Sequence, residues 1–165
     1  MISLRLEEVK SFMAKLLTNT LFDEFVLKEM EIQTFTTFHI SGQFHEKFFS
    51  DEELNERDNC KVVLWRDIRS IALSIIRGMN TPLLTKIVFQ LPEKQAVVLV
   101  ESLGTNLKSE DVGGLYINVR FENKELHMIT GTAIKTFTLD KTLEQEWDAW
   151  VKRFLADEGI IFEEE

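Results

Sequence analysis

Followed from its first residue, the chain passes twice through the same succession of hydropathy patterns. Ile2, Leu4 and Leu6 alternate with Ser3 and Arg5, and Ile87, Phe89 and Leu91 alternate with Val88 and Gln90. Alternation of this kind marks short strands with one buried face. Each strand leads into apolar positions at helical spacing, Phe12, Met13, Leu16 and Leu17 after Glu8 in the first case, Val97, Val98 and Leu103 after Glu93 in the second. Phe38-His39-Ile40 then matches Leu126-His127-Met128, and the helical pattern from Trp65 to Gly78 matches the one from Trp147 to Gly159, each closed by a glycine suited to the left-handed end of a helix. The pattern predicts an α+β fold with an antiparallel, curved sheet, helices packed on one face, and internal duplication of a β-α-β-β-(β)-α unit about a pseudo-two-fold axis. The expected half-units are 1–80 and 81–157 within a single domain 1–165, followed by an acidic tail 158–165.

Between these landmarks, residues 25–33 alternate with Val26, Met30 and Ile32 on the apolar side, where Lys28 is an exception that suggests a strand near an edge or partly uncovered there. Residues 38–44 alternate in the same way and should form a hairpin with 25–33. Ser50-Asp51-Glu52-Glu53 is a capping-box pattern opening a short helix, 55–59 reads as a mobile loop, and 61–64 as a brief strand. Gly78-Met79-Asn80-Thr81-Pro82 is the strongest punctuation and is too short for a flexible linker, so the two halves should touch. Strands follow over 86–91 and 115–121, then a turn at Glu122-Asn123-Lys124 and a return strand over 125–130, with 132–139 continuing the sheet. Thr142-Leu143-Glu144-Gln145 reads as a second capping box.

Composition narrows the function classes. The 165 residues, 44% hydrophobic, suffice for one core. Thirteen Phe against one Tyr assign most aromatics to packing, because Phe lacks the polar handle that binding surfaces use. A net charge of −9 disfavours nucleic acid as a partner. The opening residues lack the basic and apolar regions of a signal peptide, no long apolar run is present, and Cys60 is the single cysteine. A cytoplasmic protein without membrane contact is expected.

The polar face of the hairpins carries the chemistry. His39, His127, Tyr116, Asn118, Arg120 and Glu31 are the candidate binding residues, and two-fold symmetry would place His39 and His127 on equivalent strands. Two imidazoles with a carboxylate and a guanidinium nearby suit a small anion, a metal or a partner segment, although a solvated sheet face is the simpler reading of the same residues. No catalytic residue, metal or cofactor is assigned. The chain holds no CxxC, HExxH, GxSxG or GxxxxGK[ST], and Gly113-Gly114 enters a strand and not a helix. Glu144 and Asp148, four apart, read as the solvated face of the last helix, with Trp147 and Trp150 as its buried side.

The strings Glu8-Val9-Lys10, Thr34-Phe35-Thr36-Thr37-Phe38, Thr81-Pro82-Leu83, Asp111-Val112-Gly113-Gly114-Leu115 and Phe137-Thr138-Leu139-Asp140-Lys141 carry a resemblance over nearly the whole chain. In them the chain resembles a small bacterial family of uncharacterised proteins, a domain of unknown function. That resemblance implies an intracellular bacterial origin and no mechanism. The expected function is an intracellular, non-catalytic module that binds a protein or small ligand through the open sheet face or a sheet edge. The alternatives are an enzyme whose acid and base groups assemble on that face, with His39, His127, Tyr116 and Arg120 foremost, and a nucleic-acid-contacting domain. Oligomeric state stays open.

Overall fold

The computed structural model describes all 165 residues. Strands β1 (Ser3–Leu6), β2 (Val26–Gln33), β3 (Thr37–Ser41), β4 (Leu84–Gln90), β5 (Val112–Glu122), β6 (Glu125–Ile134) and β7 (Phe162–Glu164) alternate with helices α1 (Val9–Thr18), α2 (Asp51–Glu56), α3 (Trp65–Ile76), α4 (Glu93–Ser102) and α5 (Thr142–Asp157). The strands form one open antiparallel sheet in the order β3-β2-β4-β5-β6-β1-β7.

Period-two alternation puts Leu4, Met30, Ile32, Ile87, Phe89, Ile117, Val119 and Met128 on one face, all essentially without solvent exposure. The helices cover that face. Phe12 and Leu16 of α1, Trp65 and Ala72 of α3, and Trp147, Val151 and Leu155 of α5 join the strand residues in a single cluster of 28 buried side chains. Phe22 sits at its aromatic centre, stacked on Phe89 at 5.2 Å and edge-on to Phe12 and Phe154. Both buried indoles satisfy their N–H groups, Trp65 donating to the Leu16 carbonyl at 2.9 Å and Trp147 to that of Tyr116 at 3.0 Å. This matters because a buried donor without a partner costs about 1–3 kcal/mol.

Local signals are realised where chemistry is local. Ser50 and Glu53 form the reciprocal capping box that opens α2. Asn123 and Lys124, both at positive φ, make the two-residue turn that matches strand twist between β5 and β6. Gly104 and Gly159, at φ +62 and +68, end α4 and α5. β2 lies second from the sheet edge and Lys28 is exposed there, at a bulge between Leu27 and Glu29 that lifts it out of the β2–β4 ladder.

Other expectations are corrected. Exchanging the two half-units would carry the β2–β4 pairing into a β5–β1 pairing, yet β5 lies between β4 and β6, and β1 pairs with β6. The pseudo-two-fold is therefore not seen in the strand order. Gly78 has φ +153, outside the left-handed helical region that Gly104 and Gly159 adopt. The second capping box does not form, because the Asp140 carboxylate accepts both the Thr142 N–H and its hydroxyl. β6 stops at Ile134, and 61–64 contributes only a bridge between Val26 and Leu64. The 55–59 loop is tied down through Arg57, whose guanidinium donates to both Asp67 oxygens at 3.0 Å and lies over the Phe44 and Phe49 rings. The acidic tail is ordered as edge strand β7, paired with β1.

Candidate functional site

The face opposite the helices is polar, and its registers run straight across the sheet. His39 lies opposite Glu31, Glu31 opposite Lys86, Lys86 opposite Arg120, Arg120 opposite His127, His127 opposite Arg5, and Arg5 opposite Glu163. Four of the six sequence candidates thus stand in one row. A second row holds Ser41, Glu29, Val88, Asn118, Ile129 and Ser3, and Tyr116 stands one row further, between Gln90 and Gly131.

Sharing a row does not bring the two imidazoles together. β2, β4 and β5 lie between the strands of His39 and His127, and four interstrand steps of about 4.8 Å separate them by roughly 19 Å. No small ligand bridges that span. Each histidine has its own carboxylate instead, His39 Nε2 at 3.3 Å from Glu29 and His127 Nε2 at 3.1 Å from Glu165. Arg120 donates to Glu122 at 2.7 and 3.2 Å, Arg5 pairs with Glu163, and Glu31 accepts from Gln33 at 2.7 Å. The Asn118 amide reaches the Ile129 carbonyl and the Tyr116 hydroxyl the Gly113 carbonyl, both at 3.5 Å. Apart from Lys86, the charged residues of the row are partnered along and across strands. Lys86, within the row, is not among the sequence candidates, although its alternation with Ile87 places it on this face.

The two edges of the sheet differ. β7 carries Glu163 and Glu164 and is followed by Glu165, so charge guards it against pairing. β3, Thr37-Phe38-His39-Ile40-Ser41, carries no carboxylate, lysine or proline. Two bonds set its phase, Gly42 N–H to the Lys28 carbonyl at 2.9 Å and Thr34 N–H to the Thr36 carbonyl at 2.9 Å. Ladder pairs of that kind recur every second residue, so Phe38 and Ile40 bond β2. The N–H and C=O groups of Thr37, His39 and Ser41 therefore point outward, with no strand beyond them. Gly42 makes the approach at the end of β3 feasible, since a Cβ there would lie 2.0 Å from the Leu27 carbonyl oxygen. At the other end Phe35 is 93% exposed, its ring edge-on to Phe38 at 5.9 Å.

No helix of the protein is long and apolar enough to cross a membrane. No curated protein and no solved structure matches the chain. One family model does match, over residues 15–163, and it describes a Family of unknown function (DUF5721).

Proposed function

For a chain that belongs to this family of unknown function over nearly its whole length, we propose a binding module that receives an extended segment of another polypeptide along β3. The observation that carries this reading is the unguarded edge, where three outward N–H and C=O pairs stand on an uncharged strand while the opposite edge is acidic. Main-chain hydrogen bonds would supply affinity, and alternate side chains of the incoming strand would supply selectivity. On the helix side the incoming side chains meet Phe38 and Ile40, both half-buried, and on the open side they meet Thr37, His39 and Ser41. An incoming segment with apolar residues at every second position fits that alternation. Of the expected binding surfaces, the edge is favoured over the face because His39, Arg120 and His127 of the face already hold carboxylate partners.

The reading is tested by selecting peptides on the immobilised protein from a random library and mapping the winners by amide chemical shifts. His39→Pro removes an outward N–H and leaves the β2 ladder intact, a placement that edge strands tolerate. Selected peptides should shift 35–42 and lose binding to His39→Pro, while Tm stays close to that of the unaltered protein. Peptides that bind His39→Pro equally well, or that map to Arg120 and His127, would refute the edge as the binding surface.

A further inference from the structure

A cleft on the helix side of the molecule lies where the first turn of α1 meets the end of α3 and the loop that leads into β4. Val9, Lys10 and Met13 form one wall, Ile76, Arg77, Gly78 and residues 80–82 the other, and Thr85 and Phe121 also line it. The cavity measures about 220 Å³. Drug-sized ligands occupy roughly 300–1,000 Å³, so the cleft suits a smaller molecule.

Two independent observations mark it as a binding site. The first is Thr85. It points to the helix face in a row with Ile32 and Phe121, is 1% exposed, and its Oγ1 is the one buried side-chain polar atom of the protein that lacks a hydrogen-bond partner. A buried hydroxyl without a partner is destabilising, and a ligand oxygen reaching it from the cleft would satisfy it. The second is charge. Arg77 is the only arginine without a carboxylate partner, all the others being paired. Lys10 beside it is also unpaired, and no carboxylate lines the cleft, in a protein of net charge −9. Most lysines of the protein lack a carboxylate partner, so the distinguishing cation is Arg77, whose guanidinium is free to take an anion from outside the molecule.

We propose that this cleft binds a small organic acid bearing a second polar oxygen. The carboxylate lies between Arg77 and Lys10, the hydrocarbon body rests on Val9, Met13, Ile76 and Phe121, and the second oxygen bonds the Thr85 hydroxyl. Arg77 offers the planar fork that takes a carboxylate through two parallel bonds.

The test titrates the ¹⁵N-labelled protein with 4-hydroxybenzoate, 4-hydroxybutanoate, benzoate and the neutral 4-hydroxybenzyl alcohol. The hydroxy acids should shift the amides of Met13, Arg77 and Thr85 with millimolar affinity or better, and the neutral alcohol should not. Arg77→Met should weaken the acids by roughly tenfold. Thr85→Val should bring 4-hydroxybenzoate down to the affinity of benzoate and leave benzoate unchanged. The proposal is overturned if neither hydroxy acid shifts the cleft residues, or if Arg77→Met binds them as tightly as the unaltered protein. His39→Pro leaves this cleft untouched and should titrate like the unaltered protein.

Discussion

Replacing Asp67 by Asn tests the device that holds the segment between β3 and α3 in place. Asp67 does three things at once. Its Oδ2 accepts the Leu64 N–H at 3.0 Å at the start of α3, and its two oxygens accept from Arg57 at 3.0 Å each. Arg57 in turn sits 5.4 and 5.2 Å from the centroids of the Phe44 and Phe49 rings, which stack on each other. Burial works against the Asp67 charge, but the Arg57 hydrogen bonds, the Leu64 N–H and the Arg57 charge outweigh it and hold the carboxyl below its ordinary pKa. Both side chains are about one quarter exposed. Charge-assisted bonds contribute about 1.5–3 kcal/mol each, which solvent screening and side-chain ordering reduce. Asn keeps an acceptor for Leu64 and loses the ion pair, so a cost of about 2 kcal/mol is expected. For a domain of this size that lowers Tm by roughly 4–8 °C. The sign with pH follows from the depressed pKa. The contribution is fully present above the unfolded-state value of about 3.9 and is lost as pH falls through the lower folded-state value. Urea unfolding of the single variants, of Arg57→Met and of the double variant measures the coupling directly. A coupling near zero at neutral pH, or an Asp67→Asn penalty that persists undiminished in strong acid, would refute the reasoning.

Further perturbations address other links. Gly42→Ala forces a Cβ against the Leu27 and Lys28 carbonyl oxygens, at 2.0 and 2.6 Å, and should cost about 1–3 kcal/mol in chemical unfolding. Gly113→Ala, whose nearest neighbour would be the Ala133 Cβ at 3.2 Å, should cost less in the same assay. Trp65→Phe leaves the buried Leu16 carbonyl without its donor and removes ring volume from the core, so a loss of about 2–4 kcal/mol is expected by calorimetry. Thr85→Val replaces an unpaired buried hydroxyl with a methyl of the same shape and should raise stability by about 1 kcal/mol in the absence of ligand, and a drop in Tm would show that the hydroxyl is satisfied.

Which side of each strand faces the core was legible in the residues themselves. Met30 and Ile32, Ile87 and Phe89, and Leu126 and Met128 are buried where alternation placed them, and Trp147 lies in the core as its helical spacing required. The turn at Asn123 and the cap at Ser50 were equally plain, since each is decided by groups within a few residues of one another. Even Lys28, an exception in the pattern, announced a real feature, an exposed position one strand in from the edge, where a bulge that the pattern did not specify lifts it out of the ladder. The candidate site was legible only as a set of residues on one face. That His39 and His127 stand with three strands between them, each beside its own glutamate, follows from β4 and β5 entering between β2 and β6.

Period and capping are properties of neighbouring residues and can be read along the chain. Strand order depends on which distant segments win the competition to pair, and alternation scores every such pairing alike. The tertiary structure alone therefore left β3 open at the edge, covered the opposite edge with the acidic β7, and brought Lys10 and Arg77, 67 positions apart in sequence, onto the cleft that Thr85 also lines.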